Sequence, residues 1–130
     1  MAALFAMLLI FGIIDFGRAI FTYDIVTSAA RLGARYAIVH GSSCTAPGCP
    51  ASATDIQTYV RGQAVGVDPT QMAVTTTWSS SPVTGCPTSA SPFTSHGCLV
   101  TVQVLYTLQL ASIFTYRFPM NTTSKMVISQ

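Results

Sequence analysis

The chain has 130 residues, which is about the length of one domain. Half of its residues are hydrophobic and only 8% are charged, against roughly 25% in an ordinary soluble domain, so we expect lipid or partner proteins to cover much of its surface. The net charge of +2, without a basic run, argues against nucleic-acid binding.

The first predicted element is a long apolar helix. Residues 1–14 contain no charged side chain, and the apolar character continues past Asp15 and Arg18 to Tyr23. With those two charges spaced so that they can pair along one face, the helix is long enough to cross a bilayer. We therefore expect residues 1–24 to form a transmembrane or filament-core segment.

The same helix is predicted to continue over residues 25–40 with an amphipathic pattern, and to end where Gly41 begins a turn. A helix of about 40 residues is about 60 Å long, which is more than the rest of the chain can bury. Residues 25–130 are expected to form the globular domain. The apolar stripe of the continuing helix consists of Ile25, Ala29, Leu32, Tyr36 and Val39.

Four cysteines lie outside this helix, in segments rich in Gly, Pro, Ser and Thr. An even number in a membrane-directed chain predicts disulfide bonds and an oxidising compartment. Four free thiols are the alternative, and a zinc site is disfavoured because no CxxC pair is present. Among the three connectivities, we favour the two sequence-local bridges, Cys44–Cys49 and Cys86–Cys98.

A second, short helix is predicted after a disulfide loop. The loop covers residues 41–52 and the helix residues 53–65. Thr54 and Gln57 resemble a capping box at the start of the helix.

Three strands follow in the sequence, each recognised by alternating apolar and polar residues. They are predicted over residues 71–79, 98–110 and 116–129. Pro119 is expected to break or bulge the third strand and to place it at a sheet edge. The predicted fold class is therefore α+β, with a long N-terminal helix and one short helix packed on an antiparallel sheet of about three strands.

The segment between the first two strands is predicted to be a surface loop, because Ser, Thr, Pro and Gly dominate it. It is a candidate carrier of O-glycans. The candidate acceptors are Ser79, Ser80, Ser81, Thr84, Thr88, Ser89, Ser91 and Thr94.

The sequence FGIIDFGRAIFTYDIVTSAARLGARYAIVHG, from Phe11 to Gly41, resembles the opening of TadE-like pseudopilins of tight-adherence (type IVc) pilus systems, within the type IV pilin superfamily. Those proteins carry a hydrophobic run, a Gly-Ile-Ile-acidic-Phe-Gly-Arg motif and an Ala-Arg-x-Gly-Ala-Arg-Tyr segment. The counterparts here are GIIDFGR and ARLGARY. The resemblance implies a pilin-like fold and a structural role.

The resemblance further implies that the chain waits in the bacterial inner membrane before assembly machinery stacks copies of it into an extracellular helical homopolymer for adhesion. The residues expected in the polymerising helix core are Leu4, Phe5, Leu8, Phe11, Gly12, Ile14, Asp15, Gly17, Arg18, Phe21 and Ile25. Asp15 is expected to pair with Arg18 of a neighbouring subunit or with another subunit's N-terminal amine, and the alternative is an Asp15–Arg18 pair within one helix at the membrane boundary. Gly12 and Gly17 indicate either close helix packing, which we favour, or local melting of the helix.

Pilins usually have a basic leader and a glutamate at the fifth mature position, whereas Phe5 stands at that number here. The family spacing favours further residues upstream of Met1.

No enzymatic chemistry is predicted, because Asp55 and Asp68 are the only carboxylates of the globular domain. His40 and His96 are interpreted as hydrogen-bonding loop residues, and no cofactor or metal is expected. The alternative functions are a minor pseudopilin, and a membrane-anchored binding module that does not polymerise and presents residues 79–97 to a ligand.

Overall fold

The computed structural model describes residues 2–79, 97–109 and 117–129. Its elements in chain order are helix α1 (Ala2–Val39), helix α2 (Ala53–Gln63), a single 3-10 turn (Pro69–Gln71) and strands β1 (Met72–Ser79), β2 (Leu99–Gln109) and β3 (Arg117–Val127). This arrangement confirms the predicted α+β class with two helices and three strands.

The three strands form one antiparallel sheet in the order β1-β2-β3. Strand β2 is central, and its residues alternate between a buried face toward the helices and a more exposed outer face. The predicted period of two is therefore present. The buried residues of β2 are Val100, Val102, Val104, Tyr106 and Leu108.

Strand β3 lies at an edge of the sheet, as the proline in it predicts. The predicted break or bulge is wrong, because Pro119 pairs with Thr107 in a register that runs without interruption from Arg117 to Val127. A proline fits an edge strand because only one side of that strand needs its amides for the ladder.

The second half of α1 packs on both α2 and the sheet, but the buried face only partly overlaps the predicted stripe, with which it shares Ala29. Val39 is exposed, and Tyr36 and Leu32 are only partly buried. Small residues allow the helix backbone to approach its neighbours closely, so the large residues of the predicted stripe flank the contact. The buried residues of this face are Val26, Ala29, Ala30, Gly33, Ala34 and Ala37.

The N-cap of helix α2 lies two residues before Thr54, the predicted capping residue. Ser52 is the N-cap, and its hydroxyl accepts a hydrogen bond from the backbone N–H of Asp55, whose carboxylate accepts one from the N–H of Ser52. This reciprocal pair is a capping box, so the assignment to Thr54 and Gln57 is wrong. Both pairs have the spacing of a capping box, and Ser52 is the one that lies where the chain enters the helix.

The end of α1 is held against α2 by stacked rings. The ring of Tyr36 stacks on that of His40, with centroids 4.0 Å apart, and on that of Tyr59 of α2, with centroids 4.5 Å apart. His40 Nδ1 donates to the carbonyl oxygen of Tyr36, and the His40 carbonyl accepts a hydrogen bond from Ala51 N–H. His40 is thus part of the junction between the helix end and the following loop.

Candidate assembly surface

The first half of α1 extends beyond the core of the domain. In the described part of the chain, α1 is the one helix that is long and apolar enough to cross a membrane, and 0% of its most apolar window is buried. At 38 residues it is about 57 Å long. Its large apolar side chains up to Tyr23 are about half exposed or more. An exposed apolar patch of this size is unfavourable for a monomer in water.

Nearly all residues predicted for the polymerising core lie on this exposed half. Asp15 and Ile25 differ from the others because they are partly buried, and Ile25 packs against the core of the domain. The exposed ones are Leu4, Phe5, Leu8, Phe11, Gly12, Ile14, Gly17, Arg18 and Phe21.

Asp15 faces a groove between α1 and the start of β3. The groove has a volume of about 550 Å³. Apart from the Asp15 carboxylate, its lining is almost wholly apolar, and a partly buried carboxylate in such surroundings is costly unless a cation or hydrogen-bond donor meets it. The groove is lined by Gly12, Asp15, Phe16, Ala19, Phe118, Pro119 and Met120.

Arg18 lies beside a separate, more polar groove that contains Asp68 and the C-terminal end of β2. Among the residues that the structure describes, no ion pair or hydrogen bond involves the side chain of Asp15 or Arg18. The structure therefore does not contain the Asp15–Arg18 pair within one helix that the sequence left open as an alternative.

Gly12 and Gly17 lie in regular helix, since α1 is continuous from Ala2 to Val39. The alternative in which the helix melts locally is not present in this structure. A Cβ atom added at either glycine would meet nothing within 4 Å, so within the subunit nothing requires glycine at these positions.

Cys44 and Cys49 form a disulfide bond within the loop that follows α1, with their Cα atoms 5.7 Å apart. Cys98 is buried and disulfide-bonded, whereas Cys86 lies outside the described residues.

The candidate O-glycan loop also lies almost wholly outside the described part of the chain. Ser79 is the exception, and it forms the half-buried end of β1. The predicted residues that the structure does not describe are Ser80, Ser81, Thr84, Thr88, Ser89, Ser91, Thr94 and His96.

Two carboxylates of the globular domain have a lowered pKa. Hydrogen bonds from the hydroxyl and then the backbone N–H of Ser52 lower the pKa of Asp55. The hydroxyl and backbone N–H of Thr70 do the same for Asp68. Both groups are bound in caps at the starts of helical turns, so the structure assigns them to local folding.

Sequence reasoning missed that the start of β3 lines the groove beside the candidate assembly surface. Phe118 pairs with buried Leu108 and shares the helix-facing side of the sheet, yet it is 47% exposed. The available signal was an apolar residue at an inward position near the start of a strand. Its proximity to Gly12 and Phe16 is a long-range contact, which no local pattern in the sequence encodes.

Comparison with known proteins gives one match. The family model described as TadE-like protein matches residues 1–35, which is the segment that contains the exposed half of α1. No curated protein and no solved structure gives a significant match to the chain. The match agrees, over the N-terminal segment, with the resemblance noted from the sequence.

Proposed function

We propose that this chain, which is TadE-like over residues 1–35, is a structural subunit of a Tad-type pilus filament and polymerises through the first half of α1. Before assembly the helix lies in the inner membrane, and the pilus assembly machinery then stacks it against copies of itself in a filament that mediates surface attachment. The observation that carries this proposal is the exposed apolar half of a helix whose other half forms the domain core.

The physical basis is an exchange of apolar surroundings. Lipid chains are as apolar as the neighbouring helices, so leaving the membrane yields little hydrophobic free energy, and close packing and polar pairing must supply specificity. Within the described part of the chain, the side chains of Asp15 and Arg18 make no ion pair. A pairing of Asp15 with Arg18 of a second copy would satisfy both charges and set the register between helices.

A charge exchange tests this pairing. We expect Asp15→Arg to abolish filaments, because it places two like charges in the contact, and the double variant Asp15→Arg with Arg18→Asp to restore them. The measurement is electron microscopy of sheared cell-surface material, with membrane levels of the subunit followed by immunoblot. Asp24→Arg is the matched control, since it makes the same change at an exposed acid farther along α1 and should leave filaments intact.

Two results would contradict the proposal in different ways. If the double variant gives no filaments although it accumulates in the membrane, direct pairing is wrong. If the unaltered chain is recovered only as a monomer from detergent-solubilised membrane, and surface filaments lack it, polymerisation itself is wrong.

The family match is equally compatible with a second candidate, a minor pseudopilin that initiates or primes a filament built from another subunit. Immunogold labelling separates the two. Label along the whole shaft supports the main subunit, whereas filaments that disappear on deletion of the gene but carry no label along the shaft support the minor component.

A further inference from the structure

The sheet reaches farther along α1 than the boundary of the globular domain predicted from the sequence. The first residues of β3, from Phe118 to Met120, lie across a groove from Gly12 and Phe16. On this side, the domain therefore lies alongside part of the apolar helix segment that the sequence predicts over residues 1–24.

The length of free helix sets where a membrane surface can lie. Residues 2–11 precede the contact with β3, and ten residues rise only about 15 Å, which is half of a hydrocarbon core of roughly 30 Å. If the membrane covered the helix as far as Tyr23, the start of β3 would enter the hydrocarbon with it. An edge strand is excluded from that region, because its unpaired backbone amides and carbonyls have no partner there.

The side chains at this end of the sheet suit the layer between hydrocarbon and water. Phe118 is 47% exposed and Phe16 is 68% exposed, and Arg117, at the first position of β3, is exposed as well. Aromatic rings and arginines with apolar stems are favoured in the headgroup layer, where one end of the side chain is in apolar surroundings and the other is hydrated.

The rest of the outer surface of β3 has a different character. Beyond Met120 its outward positions are polar up to Lys125, with Asn121 hydrogen-bonded to Gln103 across the sheet. The exposed apolar surface at the start of β3 lies across a groove from the apolar half of α1. Val127, also exposed, lies at the far end of the strand, away from that half of the helix.

We propose that the end of the sheet around Phe118 is a second membrane-contacting surface of the unassembled subunit, seated in the lipid headgroup layer beside Gly12 to Ala19. The proposal rests on the membrane stage of the function proposed above. It places the membrane entry of α1 near Gly12 on this side, with lipid filling the groove in which a neighbouring subunit would later lie.

Tryptophan quenching by brominated lipids tests the proposal. Trp78 is the only tryptophan, so single probes are obtained in a Trp78→Phe background by adding Phe118→Trp, Val127→Trp or Leu8→Trp. The full chain is reconstituted in phosphatidylcholine–phosphatidylglycerol vesicles whose acyl chains are brominated either near the headgroup or near the terminal methyl. Circular dichroism of each variant verifies that the fold is retained.

Val127 is the matched control, because it is 44% exposed and lies at the opposite end of the same strand, about 30 Å from Phe118 at the rise of a β-strand. We expect several-fold stronger quenching of the Phe118→Trp probe than of the Val127→Trp probe, and more from the shallow bromines than from the deep ones. The Leu8→Trp probe lies about 6 Å farther along the helix from the membrane entry near Gly12, so the deep bromines should quench it more than they quench the Phe118→Trp probe.

The probes separate the two proposals. If Leu8→Trp is quenched but Phe118→Trp is quenched no more than Val127→Trp, the headgroup contact is wrong and the membrane-inserted helix stands. If Leu8→Trp is not quenched, insertion of α1 into the membrane is wrong, and the proposed headgroup contact is wrong as well. Protection of Phe118→Trp that rises with protein concentration and is independent of bromine position would assign this surface to a second copy of the chain and overturn the membrane contact.

Discussion

At Gly33, α1 approaches α2 closely. A Cβ atom at this position would overlap Val60 Cγ2 and press on Val102 Cγ1 at 3.4 Å. Both neighbours are fully buried, and a β-branched side chain in a packed core has little room to move. The absence of a side chain at this single position therefore allows the helix to lie against both α2 and the sheet.

We expect Gly33→Ala to lower the free energy of unfolding by about 1–3 kcal/mol, as overpacking of a core does. Gly62→Ala, in α2, is the matched control because a Cβ there meets nothing within 4 Å. It should raise stability by up to about 1 kcal/mol through helix propensity. Denaturant unfolding in mild detergent measures both, and equal stability changes for the two variants would show that the close approach is not limiting.

Asp55 gives the capping box of α2 a dependence on pH. Its pKa is lowered in the folded state by the hydrogen bonds from Ser52, so its contribution to stability is present above the pKa of the unfolded chain and is lost as the pH falls through the lower, folded value. We expect Ser52→Ala to raise the pKa of Asp55 toward its ordinary value, as followed by NMR titration of the carboxylate.

Asp68 serves as the internal reference in that titration, because its pKa is lowered by Thr70 and not by Ser52. Its pKa should remain where it is in the Ser52→Ala variant. If the pKa of Asp55 does not change while α2 stays folded, the hydrogen bonds of the capping box are not the cause of its acidity.

At the scale of elements, the glycines in the first half of α1 allow subunit stability and filament assembly to be tested separately. Gly17 has open space around it, so Gly17→Ala should leave the isolated subunit as stable as before, or more stable by up to about 1 kcal/mol. If neighbouring helices pack closely at Gly17 in the filament, the same methyl group should reduce filament yield strongly.

Thermal unfolding in detergent and filament counts by electron microscopy together test this prediction. Ala19→Gly provides the reverse change two residues away. It weakens the helix but adds no volume, so it should lower subunit stability without the same loss of filaments. Normal filament yield from Gly17→Ala would show that helices do not approach closely at this level.

The order and type of the elements were predictable from the sequence because each depends on a local pattern. The alternation in β2 and the glycine after His40 are signals of this kind, and α1, α2 and the three strands end within a few residues of the predicted limits. The face of α1 that is buried was not predictable in the same way. Hydrophobicity favoured Leu32 and Tyr36, whereas the close approach selected the small residues around Gly33.

The part of the candidate site that lies on α1 was predictable from the sequence, whereas the part that lies on the sheet was not. An exposed apolar helix and the charges within it are visible in the sequence, since Asp15 interrupts a long uncharged run. The position of Phe118 beside Gly12 depends on how far β3 extends along α1 once the whole domain is folded. That distance is set by the packing of α2 and the sheet on the second half of the helix.

At the scale of the whole molecule, α1 belongs to two environments at once. Its second half supplies core residues such as Val26 and Ala30, which are buried among α2 and the sheet, while its first half presents apolar side chains outward. No break in the helix separates the halves. The boundary between the domain and the proposed assembly surface is therefore the point along α1 at which the domain stops covering the helix. This point differs from one side of the helix to another.

An unbroken helix also has a mechanical consequence. Because α1 is continuous through Gly17 and is clamped at its far end by the ring stack around Tyr36, a force applied to the outer surface of the domain acts directly along the axis of the buried rod. No slack linker has to be taken up first. In the proposed filament, tension on one subunit would therefore reach the helix contacts with its neighbours, where many small interactions would be loaded in parallel.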